Sequence, residues 1–278
     1  MLDLFEVVTG DIDSRSDLPE AAGQEVELRS LAGRSAAREV PHWTKGLRVG
    51  FDTETTGVDP ATARIVSAAV VHRVPDTMTE VKVWLIDPGV DIPAAATAVH
   101  GFTTEYVREH GQPAAEALNE IAEELASQLV NGAPVVVYNA TYDLPLLETE
   151  LRRYGLPSLR ERMNIDDYHV LDPLVLDRWV DKYRKGKRKL GDLVAHYGIS
   201  VFDDLHTADI DVLATLDVLE AMTRKWPQIG VTEIEHLQAI QVNAHHAWAQ
   251  GMNEWFARNG INRAEIPTGW FPTAVSVF

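Results

Sequence analysis

Along the chain the spacing of apolar residues changes character twice. Residues 47–55, 64–73 and 80–87 are short runs rich in β-branched side chains, separated by Gly, Pro and Asp, and they predict a meander of three strands. A loop rich in Ala and Pro follows over 88–98. From residue 114 to 130 the period becomes helical, with Leu118, Ile121, Ala122, Leu125 and Leu129 on one face. Residues 134–138 form a continuous apolar run of strand length, and a helix over 143–154 follows at once. A strand over 168–171 precedes helices over 174–183 and 190–196, and a last helix runs over 207–224. Strands first, then strands alternating with helices, predict an α/β unit over 47–225: a mixed five-stranded sheet with helices on its faces.

The flanks read differently. Between Glu6 and His42 there is no Phe, Trp or Tyr and no sustained period, so residues 1–46 are expected to form a flexible acidic arm, with a short helix over 27–38 as an option. Residues 226–278 are expected to be a helical extension. Thr232 with Glu235 three residues on predicts a capping box, and Gly260 a stop. Between them Leu237, Ile240, Ala244, Trp248, Met252 and Trp255 recur at three or four, the stripe of one long helix laid on another surface. The adjacent His245–His246 pair reads as a polar flank of that helix rather than a metal site.

Composition narrows the chemistry. The chain has 278 residues, 45% hydrophobic and 24% charged, which suits a globular core. There is no cysteine, so disulfides, thiolate metal sites and Cys nucleophiles are excluded, and carboxylates, histidines and hydroxyls must carry any reaction. No apolar run approaches the roughly 20 residues of a membrane helix. The N-terminus lacks a basic start followed by an apolar stretch, so the expected location is cytoplasmic. The formal net charge is −17, which taken naively argues against nucleic acid. Carboxylates that hold divalent metal escape that argument, because they are neutralised where a phosphate docks.

Four places hold candidate chemistry. In Phe51-Asp52-Thr53-Glu54-Thr55-Thr56-Gly57, strand alternation sends Asp52 and Glu54 to the same side. Two carboxylates on a buried sheet face are costly unless a cation lies between them, and Gly57 permits a tight turn. In Val137-Tyr138-Asn139-Ala140-Thr141-Tyr142-Asp143, an apolar strand ends in a polar turn that opens a helix, a usual ligand position in α/β sheets. In His206-Thr207-Ala208-Asp209-Ile210-Asp211, His206 precedes a helix and Asp211 lies in its second turn, so both could face one cavity. Each of the three has a plainer structural reading: a capping Asp, an N-terminal carboxylate, a structural His–Asp pair. The fourth is the run over 181–189, where six of the 25 basic residues occur in eight positions around Tyr183. Contact with a phosphate backbone is the favoured reading there.

Together, Asp-x-Glu-Thr-Thr-Gly on a first strand, Asn-Ala-x-x-Asp after a later one and His-x-Ala-x-x-Asp opening a late helix resemble the three motifs of the DEDDh family. These are DnaQ-like 3′–5′ exonucleases on a ribonuclease-H-like fold, among them bacterial polymerase III proofreading subunits. The resemblance spans about residues 47–225. Ala98-Val99-His100-Gly101 resembles the family's loop beside the 3′-terminal nucleotide, and the stretch from Asp172 through the basic run to Tyr197-Gly198 also looks like family sequence. His206 five residues before Asp211 places the chain with the His subclass.

The resemblance implies that Asp52, Glu54, Asp143 and Asp211 bind two Mg²⁺ or Mn²⁺ ions, that His206 is the general base, and that Glu54 helps orient the attacking water. Thr55, Thr56, His100 and Asn139 become candidates for holding the terminal nucleotide, Tyr142 for stacking on a base, and Arg184, Lys187 and Arg188 for phosphate contact. The expected activity is release of nucleoside 5′-monophosphates from the 3′ end of single-stranded DNA, in replication proofreading or repair, with a replicative polymerase as a candidate partner. The alternatives are an RNA 3′–5′ exonuclease of the same superfamily and a non-catalytic nucleic-acid-binding module. Met1-Leu2-Asp3-Leu4-Phe5 resembles the pentapeptide with which bacterial replication proteins grip the sliding clamp, with Met1 in place of Gln. Leu4 and Phe5 would fill the pocket of such a partner.

Overall fold

In the computed structural model the described residues are 42–163, 168–200 and 207–270. Three long strands open the fold as an antiparallel meander: β1 (Arg48–Thr55), β2 (Ile65–Val74) and β3 (Met78–Asp87). Two short helices, α1 (Ala94–His100) and α2 (Thr104–His110), lead into a two-residue strand, β4 (Gln112–Pro113), and the long helix α3 (Ala114–Val130). Next come β5 (Val135–Val136), α4 (Ala140–Arg153), α5 (Leu159–Met163) and β6 (Val170–Leu171). Helices α6 (Pro173–Val180), α7 (Leu190–His196), α8 (Ala208–Lys225), α9 (Pro227–Val231) and α10 (Ile234–Arg258) complete the order.

Among the described residues the strands form one mixed sheet in the order β4-β3-β2-β1-β5-β6. It holds the five expected strands plus β4, which pairs parallel with the end of β3. Strand alternation divides the core. Val49 and Phe51 of β1 and Val135 of β5 pack with Leu118, Ile121 and Leu125 of α3 and Leu144 and Leu147 of α4. On the other face, Ala69 and Val71 of β2 and Val136 of β5 pack with Val212, Leu216 and Leu219 of α8. Each such Leu or Ile, fully buried, stabilises by about 1.5–3 kcal/mol.

Local expectations met several corrections. The stretch over 88–98, expected as loop, contains most of α1, and α2 follows it. The expected capping box at Thr232 does not form: its hydroxyl donates to the Gln228 carbonyl at 2.6 Å, and Glu233 is the N-cap of α10. The buried stripe of α10 runs through Leu237, Gln241, His245, Ala249, Met252 and Phe256, whereas Ile240, Ala244, Trp248 and Trp255 are half-buried. The stripe is displaced because two polar side chains have partners inside. Gln241 accepts from Asp172 N at 2.7 Å and donates to Val170 O at 3.0 Å, closing the open edge of β6. His245 Nε2 meets the Pro267 carbonyl at 3.0 Å, where the chain returns along the helix to bury Trp270 in the core. Arg178 of α6 lies 3.5 Å from the centroid of the Trp248 ring, a second tie between that helix and α10.

The stretch expected as an arm lies outside the described residues up to position 41. Its last part is packed: Trp43 is buried and its indole N–H donates to the Thr232 carbonyl at 3.1 Å. Among the described residues, no helix is long and apolar enough to cross a membrane.

Candidate active site

The site is built at the end of β1, on the side that faces α8. Gly50, Asp52 and Glu54 share that side by alternation. A side chain at Gly50 would place its Cβ 2.3 Å from Val212 Cγ1 and 3.1 Å from Leu216 Cδ1, so the missing side chain lets α8 lie directly on the strand. Ion pairs fix the other half of that helix, Arg48 to Glu220 at 2.7 Å and Arg73 to Asp217. Asp211, the neighbour of Val212, is thereby delivered to the strand. Oxygens of Asp52, Glu54 and Asp211 all lie within 4.8 Å of one another.

Asp143 arrives from the opposite side of the strand, in the first turn of α4. It is buried and accepts from the Thr53 hydroxyl at 2.5 Å. Asn139 starts this helix from a left-handed conformation (φ 60°), which Asn tolerates better than most residues. The turn is held from below by Asp172, whose carboxylate accepts from Asn139 N at 3.1 Å, Ala140 N at 2.9 Å and Leu174 N at 3.0 Å.

Electrostatics tie all four acids together. Burial, then repulsion from Asp143, Asp211 and Glu54, holds Asp52 well above the usual carboxylate range. Glu54 is pushed up to about 8 by burial first and then by Asp211 and Asp143. Asp143 is raised to about 7 by burial, against the opposing hydrogen bond from Thr53. All of the donor atoms are carboxylate oxygens, the preference of hard divalent cations, and a cation among them would remove the repulsion.

The remaining expected residues fall into three groups. Thr55 and Tyr142 bring their hydroxyls within 2.8 Å of each other, and both reach the Gly57 carbonyl, so Tyr142 braces the turn after β1 with its ring against the core. Thr56 accepts from Arg64 N at 2.9 Å and closes the loop between β1 and β2. His100 is buried, accepts from Phe102 N at 3.1 Å through Nδ1, and has its pKa lowered by burial, against a smaller opposing effect of the Thr55 backbone. Arg184 and Arg188 point inward and bind Asp177, while Lys187 is exposed. His206, Leu4 and Phe5 lie outside the described residues. Thr207, which follows His206, is the N-cap of α8. Gly50, Thr53, Asp172 and Asp177 support the site although the sequence assigned none of them a role in it. The first had a signal, a glycine inside a β-branched strand, and the third another, an Asp before a Pro at a helix start.

Comparison with known proteins accords with this arrangement. The profile of the RNase T exonuclease family matches residues 49–219. A DNA polymerase III subunit epsilon-like protein of Rhodobacter capsulatus is 32% identical over 82% of this chain, which spans 30% of that protein. The uncharacterized exonuclease CP81 of Escherichia phage 186 is 28% identical over 70% of this chain and is covered over 97% of its own length. A PolC-type DNA polymerase III of Streptococcus thermophilus is also 28% identical over 70% of this chain, but only 12% of it is covered. Among solved structures, E. coli Exonuclease I in complex with an oligonucleotide shares the fold at a TM-score of 0.55 and 20% identity, over 66% of this chain and 42% of that one. The matched segment carries all four acids of the site, from both faces of β1, and the chain belongs to the RNase T family of exonucleases.

Proposed function

We propose that the protein removes nucleoside 5′-monophosphates one at a time from the 3′ end of single-stranded DNA, in a reaction that needs divalent metal. The convergence of Asp52, Glu54 and Asp211, with Asp143 close enough to repel Asp52 and Glu54, carries this reading. Those four carboxylates would hold two Mg²⁺ or Mn²⁺ ions. When bound, such ions activate water and stabilise negative charge at a phosphodiester. An Exonuclease I–single-stranded DNA complex that shares the fold was crystallised in a zinc-bound form, which supports the same combination of ion and strand here.

In the reaction a water oxygen bonds to phosphorus and the bond from phosphorus to the upstream 3′-oxygen breaks. That oxygen leaves with the bonding electron pair and takes a proton from solvent, ending as the 3′-hydroxyl of the shortened strand. His206 takes the proton of the attacking water, a role suited to an imidazole whose ordinary pKa lies near neutrality. Glu54 orients that water, and Thr53 holds Asp143 toward the site. His100 and Asn139 border the place of the terminal nucleotide. The epsilon-like and PolC-type relatives support a role beside a replicative polymerase, in proofreading or repair.

Incubation of the full chain with 5′-labelled single strands tests the proposal. Mg²⁺ or Mn²⁺ should give ladders of shortening products and 5′-monophosphates, EDTA should stop the reaction, and competing DNA and RNA oligomers should favour DNA. Cleavage that survives EDTA, or that is unchanged in Asp52→Asn and Asp211→Asn, rejects this reading.

A further inference from the structure

Between α6 and α7 the chain carries six cationic residues against a single carboxylate, from Asp181 to Lys189, in a protein of net charge −17. This loop is fastened. Asp177 of α6 is fully buried and binds Arg184 Nη2 at 3.2 Å, Arg188 Nη1, and the Tyr197 hydroxyl at 2.7 Å. Arg188 Nη2 also donates to the Asp181 carbonyl at 2.6 Å, and the Tyr138 hydroxyl donates to the Arg188 carbonyl. Tyr138 immediately precedes Asn139, so the loop is anchored beside the turn that presents Asp143. Helix α6 therefore serves two places. Its N-cap Asp172 holds the start of α4, and Asp177 holds the basic loop.

Two guanidinium groups on one buried carboxylate leave the anchor itself positive. On its outer side Lys182 and Lys185 are exposed, and Tyr183 between them is 77% exposed, with the Lys182 ammonium 5.6 Å from its ring centroid. Such a ring offers a face to any base, and the ammonium groups offer charge to any backbone phosphate, the two features on which sequence-independent single-strand binding rests. Anchoring by Asp177 removes much of the entropy that a slack loop would lose on binding.

We propose that Lys182, Tyr183 and Lys185 grip the single-stranded nucleic acid upstream of the end being trimmed, the lysines on phosphates and the tyrosine on a base, while Arg184 and Arg188 shape the loop. This rests on the nuclease reading given above. The grip accounts for a basic, aromatic loop kept rigid on a surface that otherwise repels a polyanion.

The test is fluorescence anisotropy of a labelled oligothymidylate of about a dozen nucleotides with the full chain in EDTA, across a salt series. Lys182→Gln with Lys185→Gln should flatten the slope of log affinity against log salt by about 1.4, at about 0.7 for each phosphate no longer neutralised. Tyr183→Ala should weaken binding about five- to a hundredfold with the slope unchanged, and Tyr183→Phe should bind like the parent. The p-nitrophenyl ester of thymidine 5′-monophosphate, too short to reach the loop, should be hydrolysed equally by parent and variants. Unaltered affinity and slope overturn the grip, as does an equal loss on the short ester. A parent that binds oligothymidylate but cleaves neither substrate with Mg²⁺ or Mn²⁺ overturns the nuclease reading instead.

Discussion

Repulsion among the carboxylates around β1 should be measurable as lost stability in the metal-free protein, and Glu54→Gln isolates it. Glu54 is 9% exposed, and its pKa is moved from 4.5 to about 8, by burial first and then by Asp211 and Asp143. A carboxyl whose folded pKa exceeds its unfolded value favours the fold while it is protonated. That contribution is whole below about pH 4.5, declines as pH rises, and is lost above about pH 8. At about 1.4 kcal/mol for each pH unit the interval sets a ceiling of about 5 kcal/mol, and water entry and coupling to the other acids reduce it to about 2–3 kcal/mol. The amide keeps the shape and removes the charge. In EDTA at pH 8, Glu54→Gln should therefore unfold about 5–10 °C above the parent, taking about 2–4 °C for each kcal/mol in a chain of this size. At pH 5, where Glu54 is protonated in the fold, the gap should close. With excess Mn²⁺ the parent should gain more than the variant, because the ion binds the folded state and the lost carboxylate is one of its ligands. Thermal unfolding by circular dichroism in the three conditions decides. A variant that is no more stable than the parent at pH 8 in EDTA, or a gap of equal size at pH 5, refutes the reasoning.

Other outcomes follow from named contacts. Gly50→Ala drives a methyl into Val212, so α8 must retreat at a cost of about 1–3 kcal/mol; the Mn²⁺ concentration for half-maximal cleavage should rise, and Val212→Ala should restore it. Thr53→Val removes the 2.5 Å hydrogen bond that favours ionised Asp143, so the acid limb of the pH–rate profile should move to higher pH; an unmoved limb refutes the role. Gln241→Leu leaves Asp172 N and Val170 O buried without that partner and should cost about 2–4 kcal/mol in urea unfolding. Gln241→Glu keeps the acceptor for Asp172 N but turns a buried carboxylate oxygen on the Val170 carbonyl. It should cost at least as much at neutral pH and less at low pH, where the side chain is protonated and can donate.

The meander and the helix α3 were legible because their periods of two and of three to four coincide with single buried faces. Strand alternation alone paired Asp52 with Glu54. What the pattern concealed depends on partners far away in sequence. Helix α1 buries only His100, so it has no apolar stripe to betray it. The stripe of α10 was right at Leu237 and Met252 and one residue off at its other four positions, because Gln241 and His245, polar by type, are buried by an open strand edge and a returning chain that a single-helix pattern does not contain. Arg184 and Arg188 looked like surface charge for the same reason: their carboxylate, Asp177, lies on a preceding helix whose sequence does not mark that side chain as buried.

The acidity of the chain, an objection to nucleic acid when read from composition, becomes part of the argument once charges are placed. Several cations are bound internally and are not offered to a phosphate: Arg48 and Arg73 hold α8, and Arg64 and Arg153 compensate the fully buried Glu150. The acids of the site are in surplus only while no cation is among them. On the proposed reading, a polyanion is repelled by the net charge of the chain and attracted where lysines project from a fixed loop and where metal would offset the carboxylates. Those two places are joined through α6, by Asp172 at its start and Asp177 within it. On that reading, repulsion elsewhere and attraction at these two places act in the same direction and steer a strand toward the site.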